Sequence, residues 1–298
     1  MSPPPAPRPN DGSESTSNSD ESTRVPGGLS LDSTQLDRYS RHIIMDELGP
    51  EGQAQLLNAD VLIVGAGGLG SPVIQYLAAA GVGTIGIVDD DIVERSNLQR
   101  QVIHRDEDVG DSKVDSAARF ITDLNPDITV VTHRTRIDKQ SIREVIPGYD
   151  MIVDASDNFP TRYLLNDFCQ LQKIPIAHGA IYKFEGQLTT LIPDGPCYRC
   201  LFPEAPEPGT IPDCAATGVL GALPGTVGCL QATEAMKVIL NAGNPLTGKL
   251  IFYDALEATF EQISYQPDPT CPVCGDTPIQ SIESVEYTGS CEVSEVSE

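Results

Sequence analysis

Between residues 60 and 177 the chain alternates two patterns. Short, almost wholly apolar runs, such as DVLIV at 60–64 and MIVD at 151–154, are separated by longer stretches with helical spacing. Apolar runs bounded by turn residues predict strands buried on both faces. Strands are expected at 60–64, 84–88, 128–132, 151–154 and 174–177, and helices at 69–80, 113–124, 138–146 and 161–171. Gly81 and the Asn125-Pro126 pair stop two of these helices. The alternation predicts an α/β fold, a Rossmann-like, mostly parallel sheet with helices on both faces. Ligands of such sheets lie at the carboxyl ends of the strands.

The flanks read differently. Residues 1–28 have almost no apolar content and are expected to be a disordered acidic tail. The segment 30–49 reads as helical, with an Asp or Ser cap. After Pro193 the texture changes, and residues 195–226 are rich in Pro, Gly and Cys. A helix at 227–240 and strands at 250–253 and 259–264 follow, and 281–298 reads as a flexible acidic tail. One domain is therefore expected over 29–280, with a nucleotide-binding part at 29–194 and a cysteine-bearing part at 195–280. This C-terminal part carries two cysteine pairs.

Composition narrows the class. With 298 residues, 40% of them hydrophobic, the chain can bury a real core. Its formal net charge of -24 disfavours DNA, RNA and anionic membranes as partners. Six lysines against thirteen arginines, on so acidic a chain, suggest an extreme halophile. In molar salt a Debye length of about 3 Å screens the self-repulsion. Residues 61–88 carry no charge, but their seven glycines and one proline favour strand, turn, helix and strand over a membrane span. The N-terminus has no basic region like that of a secretory signal, so a cytoplasmic protein is expected. Eight cysteines in that setting argue for metal or thiol chemistry over structural disulfides.

Four constellations carry chemistry. Gly65-Ala66-Gly67-Gly68-Leu69-Gly70 follows a strand and opens a helix, the context in which glycines let phosphate approach the backbone. Asp89 ends the next strand and is placed to accept from a ribose, which leaves NAD, FAD and ATP all open. Arg95, Arg100, Arg105 and Lys113 crowd a polar insertion, and concentrated positive charge there suits a triphosphate. In DASDN at 154–158 a carboxylate can hold Mg²⁺, or Asp157 or Asn158 can cap the next helix. Cys197, Cys200, Cys271 and Cys274 form two C-x-x-C pairs suited to one structural Zn²⁺, with redox pairs as the alternative. Cys214, in PDCAATG, stands apart as a candidate nucleophile. Cys169 and Cys229 fall in helical patterns and read as ordinary, and Cys291 is given no role.

Together these motifs resemble the MoeB/ThiF family of ubiquitin-activating-enzyme-like adenylyltransferases, with archaeal ubiquitin-like activating enzymes as the nearest functional type. The resemblance rests on RYSRH at 38–42, VLIVGAGGLGSP at 61–72, DDDIVERSNLQRQ at 89–101, GDSKVDSA at 110–117, DASDN, CYRC, the Cys214 segment, GCLQATEAMK at 228–237 and CPVC. It implies binding of ATP and Mg²⁺ and transfer of AMP to the C-terminal Gly-Gly carboxylate of a small ubiquitin-like (β-grasp) modifier or sulfur carrier.

By position, the resemblance puts Gly65, Gly67, Gly68 and Gly70 along the nucleotide and Asp89 on the ribose. Asn97, Arg100 and Lys113 face the phosphates, and Asp157 is the magnesium-linked aspartate. Arg41 reaches the ATP of a second subunit, which implies a homodimer. The four paired cysteines bind one zinc ion per chain. Cys214 matches a cysteine that, in some members, links covalently to the carrier. Some relatives carry a rhodanese domain after these motifs; here the activated carrier is expected to serve sulfur transfer (to molybdopterin or tRNA) from a separate sulfur donor, protein conjugation through Cys214, or both. The competing readings are a nicotinamide- or flavin-dependent oxidoreductase and a non-catalytic zinc-stabilised adaptor.

Overall fold

The computed structural model describes Thr23–Arg24 and residues 30–206 and 217–287. Most of the expected N-terminal tail, Cys214, Cys291 and residues 288–298 lie outside the described residues. A short antiparallel ribbon, β1 (Thr23–Arg24) and β2 (Ser30–Leu31), leads into α1 (Ser33–Arg38), α2 (Ser40–Ile43) and α3 (Gly49–Asn58).

The single helix expected over 30–49 is thus broken. Asp32 caps α1 as its residue type suggests, accepting from the Gln35 amide at 2.8 Å. The break falls at Tyr39, which is buried and accepts from Asn125 Nδ2 at 2.8 Å. Docking that ring overrides local helix propensity.

The main sheet contains β3 (Asp60–Val64), β4 (Thr84–Val88), β5 (Thr129–His133), β6 (Met151–Asp154), β7 (Ile176–Tyr182), β8 (Glu185–Leu191), β9 (Lys249–Asp254) and β10 (Thr259–Ser264). The spatial order is β10-β9-β8-β7-β6-β3-β4-β5. From β7 to β5 all neighbours are parallel, and β8, β9 and β10 extend the β7 edge antiparallel. The reversal between β3 and β6 is the crevice where ligands of such sheets bind. The connections hold α4 (Gly70–Ala80), α5 (Lys113–Leu124), α6 (Ser141–Val145), α7 (Phe159–Gln172), α8 (Tyr198–Leu201) and α9 (Ala222–Ile239).

Two apolar layers sandwich the sheet. Val61 and Ile63 of β3 pack with Val73, Ile74 and Leu77 of α4 and Val227 of α9. Leu62 and Val64 point the other way, onto Ile142 of α6, Ile146 at its C-terminal cap, and Leu164, Leu165 and Phe168 of α7. Period-two alternation inside an unbroken apolar run is what a strand covered on both faces requires.

Three further expectations change. β8 was not expected, because Glu185–Leu191 is mixed in polarity and one of its partners, β9, lies far along the chain. The helix expected at 227 starts at Ala222, with Pro224 in its first turn, where an amide is not needed. The expected flexible tail is docked over 281–287. Ile282 is buried against α7, Tyr287 Oη donates to Asp167 at 2.8 Å, and Glu283 pairs with Arg143 at 2.6 Å. No helix among the described residues is long and apolar enough to cross a membrane.

Candidate nucleotide site and candidate metal centre

A cleft of about 360 Å³ opens at the carboxyl ends of β3, β4 and β6. Gly65, Gly67 and Gly68 line one wall, beside Asp89, Arg100, Lys113 and Asp157. These seven sequence-predicted residues, spread over ninety-odd positions, are brought together by strand order. Gly65 has φ +104°, and a Cβ there would lie 2.7 Å from the Ala155 carbonyl oxygen. Gly70 does not line the cleft. Its role is close packing, since a Cβ would sit 1.9 Å from Gly65 O. Helix α4 follows directly, but the Ser71 amide is bonded to the Gly67 carbonyl at 2.9 Å and Pro72 has no amide, so the helix start offers its partial positive charge and the loop backbone would meet a phosphate.

Asp89 braces that loop. Its Oδ2 accepts from the Ala66 amide at 2.8 Å and its Oδ1 from the Asp91 amide at 2.9 Å. Burial pushes its carboxyl above the usual range, and the charge of Lys113 works against that rise. Lys113 is buried, with Nζ 2.7 Å from the exposed Asp91 carboxylate. Asp91 also lines the cleft, and nothing in the run of three aspartates distinguished it. The cationic insertion divides: Arg100 and Lys113 face the cleft, whereas Arg95 pairs with Asp106, and Arg105 with Glu107 and Asp123, on the surface. Asn97 is buried outside the cleft lining, and its Oδ1 accepts from the Glu94 amide at 3.0 Å. Arg41 is exposed on α2 and does not line its own chain's cleft.

DASDN resolves into separate tasks. Asn158 is the cap of α7, accepting from the Thr161 amide at 3.0 Å. Asp157 is left exposed on the cleft wall. Asp154 lies buried beneath, 2.7 Å from His178 Nδ1, and accepts from the Ser156 amide at 3.0 Å and the Ser156 hydroxyl at 2.6 Å. Burial alone would push the Asp154 carboxyl up; the His178 bond and charge outweigh it and hold it below the usual range. Gln231 of α9 donates to the Asp154 carbonyl at 2.8 Å, tying the cysteine-bearing part to this loop. Gln101, Arg136 and Arg162 also line the cleft and were not singled out from the sequence. Arg162 lies four residues after Asn158, the α7 cap, but that position alone does not say that it faces the cleft, and Arg136 had no local signal at all.

The second site is closed. Cys197, Cys200, Cys271 and Cys274 bring four sulfurs within 4.8 Å of one another. Sγ–Sγ separations are 4.0 Å for Cys197–Cys200, 3.5 Å for Cys197–Cys271 and 3.2 Å for Cys200–Cys274. A tetrahedron with Zn–S near 2.3 Å has an edge of roughly 3.8 Å, so the donor set fits Zn²⁺. Hydrogen bonding to Cys271 and Cys274, with burial, pushes the Cys197 thiol far up when no cation is present. Val273 and Ile279 shield the cluster. Cys169 is buried in the α7 layer, as its helical pattern suggested.

The family model described as ThiF matches residues 39–273. The chain belongs to the ThiF family. It is 66% identical over 266 residues to the SAMP-activating enzyme E1 of Haloferax volcanii, covering 89% of this chain and 98% of that protein. It is 51% identical to the sulfur carrier protein adenylyltransferase of Thermus thermophilus, covering 86% and 97%. A crystal structure of E. coli MccB with ATP superposes with TM-score 0.71 at 26% identity, covering 80% of this chain and 75% of that one. The ThiF match contains every residue of the cleft and three of the four paired cysteines. It ends before the docked segment 281–287.

Proposed function

We propose that this protein adenylates the C-terminal Gly-Gly carboxylate of a small ubiquitin-like modifier or sulfur carrier at the expense of ATP. The observation that carries this is a cleft in which the glycine loop, four cationic side chains (Arg100, Lys113, Arg136 and Arg162) and the exposed Asp157 carboxylate meet. Two near-full-length relatives named for SAMP activation and sulfur-carrier adenylylation support it.

In this reading the glycine loop cradles the phosphates of ATP and Asp89 accepts from the ribose. A carboxylate oxygen of the carrier attacks the α-phosphorus. The bond from that phosphorus to the bridging oxygen breaks, and pyrophosphate leaves with the electron pair. Charge gathers on the phosphoryl oxygens, and Arg100 and Lys113 stabilise it from fixed positions. Asp91 keeps Lys113 oriented before substrate arrives. Asp157 is the residue that would hold Mg²⁺, which supplies further charge neutralisation. Asn97 acts by shaping the turn that carries Arg100.

The finer assignments rest on the family resemblance. Arg41 serves the cleft of a second subunit, so the enzyme works as a homodimer. One zinc ion per chain, held by the four paired cysteines, ties the C-terminal segment to the α8 turn. Residues 29–280 act as one adenylation domain, a division supported by the unbroken sheet that joins β3 to β10. Cys214 receives the activated carrier, sulfur comes from a separate donor, and the enzyme works in the cytoplasm.

Intact-mass analysis tests the reaction. A Gly-Gly-ended β-grasp carrier mixed with enzyme, ATP and Mg²⁺ should gain one AMP at its C-terminus. A Cys214→Ser variant should still form this adduct but lose a downstream product. No adduct on any carrier refutes the reading.

A further inference from the structure

His104 lies behind the glycine loop, outside the cleft lining, and the roles assigned above do not use it. It is 6% exposed. Its Nε2 is 3.0 Å from the Ala66 carbonyl oxygen and its Nδ1 is 2.8 Å from Ser116 Oγ. A carbonyl can only accept, so Nε2 carries a proton. Ser116 Oγ is also 2.9 Å from Asp108 Oδ2, and Asp108 accepts from the Arg105 amide at 2.8 Å and from Arg119. Burial opposes ionisation of Asp108, and the Arg119, Arg105 and Ser116 bonds outweigh it, holding its carboxyl below the usual range.

The Ser116 hydroxyl therefore stands between two acceptors. Beside a neutral imidazole it donates to Nδ1. Beside an imidazolium, Nδ1–H donates to Oγ and the hydroxyl turns to Asp108. In both cases Nε2 keeps its proton and donates it to the Ala66 carbonyl. Burial pushes the imidazole pKa down, and Lys113 adds to that, while the Ala66 bond and Asp108 oppose it.

Two consequences follow from where Ala66 and Ser116 sit. Ala66 is the second residue of GAGGLG, and it is pinned on both sides: its N–H by Asp89 at 2.8 Å, its C=O by His104. Ser116 and Lys113 lie one helical turn apart at the start of α5, so one rigid element holds the back of the loop and presents an ammonium group at its front.

We propose that His104 is a positioning residue for adenylation: it fixes the phosphate loop through Ala66 and, through Ser116, keeps that loop in register with Lys113. The proposal rests on the nucleotide reading of the cleft.

The test uses the full chain in high salt. ATP–pyrophosphate exchange with a Gly-Gly-ended carrier is measured for wild type, His104→Leu and His104→Gln. Loss of one buried hydrogen bond behind the loop should raise KM for ATP about tenfold in His104→Leu. KM for the carrier should stay within about twofold, a split that a general loss of packing would not produce. Glutamine keeps an amide N–H near the Nε2 position and should recover KM for ATP to within about threefold of wild type. A His104→Leu enzyme with wild-type KM for ATP overturns the proposal.

Histidine ¹⁵N spectra of the wild type give a second readout that does not depend on the variants folding or turning over. The expected signature is a protonated Nε2. A neutral ring protonated on Nδ1 overturns the proposal, because Nε2 then has nothing to donate to Ala66. Should the wild type itself show no exchange, the adenylation reading fails on its own, and the spectrum still decides whether His104 holds the loop.

Discussion

The nucleotide cleft is built at the ends of the middle strands β6, β3 and β4, the four-cysteine cluster from the segments that follow β8 and β10, and they are built on opposite plans. The cleft is open. Its groups come from the ends of parallel strands, and much of its holding is done by backbone: the loop amides, the Ala66 clamp and the α7 cap. Asp157 is exposed, and among the described residues its carboxylate accepts only from its neighbour, Asn158 Nδ2, at 3.3 Å. The cluster is closed. Two turns about seventy residues apart converge on it, and each sulfur packs against another. A site meant to receive and release substrate keeps groups uncommitted, whereas a site meant to stabilise commits them all. Damage in the first should therefore remove chemistry and spare the fold, and damage in the second should do the reverse.

The sharpest break in that contrast is Asp157→Ala. It should lower carrier adenylation by about 100-fold or more, with a thermal midpoint unchanged from wild type by calorimetry. Cys271→Ser should do the opposite. Loss of a ligand should empty the cluster of zinc, measured by metal analysis, and lower the midpoint by about 5 °C or more. Adenylation measured well below that midpoint should stay within about twofold of wild type. If Cys271→Ser abolishes turnover in a folded protein, the separation of roles fails.

Asp154 lies between the two plans, since it is buried like the cluster yet supports the Asp157 loop. Asp154→Asn should cost about 3 kcal/mol in denaturant unfolding, the usual penalty for breaking a buried pair. Its folded pKa is depressed. The stability it contributes is therefore fully present above the ordinary carboxylate value, and is lost as pH falls through the lowered folded value. The variant should flatten that part of the acid limb of the stability–pH curve. The smallest effect expected is Tyr287→Phe. The hydroxyl donates to Asp167, which Arg199 also grips through two bonds at 2.7 Å. Its loss should cost about 1 kcal/mol and leave adenylation unaltered.

The two sites also differed in how far they could be read from residues alone. β3, β4, β6 and α5 fell where the patterns put them, because each is short, apolar or amphipathic, and bounded by turn residues. The glycine loop was legible for the same reason: strand, turn and helix start are consecutive. Asp91, Arg136 and Arg162 were not, because they enter the cleft only once the strands are ordered. His104 was invisible in the sequence; its partners, Ala66 and Ser116, are 38 and 12 residues away. The break at Tyr39 and the docking of Tyr287 share a cause, since each depends on a buried partner distant in the chain. The cysteine pairs could be read by spacing within each pair, but their convergence depends on β8, β9 and β10 closing the sheet edge, and β8 gave no clear pattern.

The most direct test of the account is ATP–pyrophosphate exchange in high salt, with and without a Gly-Gly-ended β-grasp carrier, on wild type and Asp157→Ala. Exchange that requires ATP, Mg²⁺ and carrier in the wild type, and falls by about 100-fold in the variant, is the predicted result. Exchange undiminished in Asp157→Ala, or none with any carrier from a protein that binds NADH in place of ATP, would contradict it.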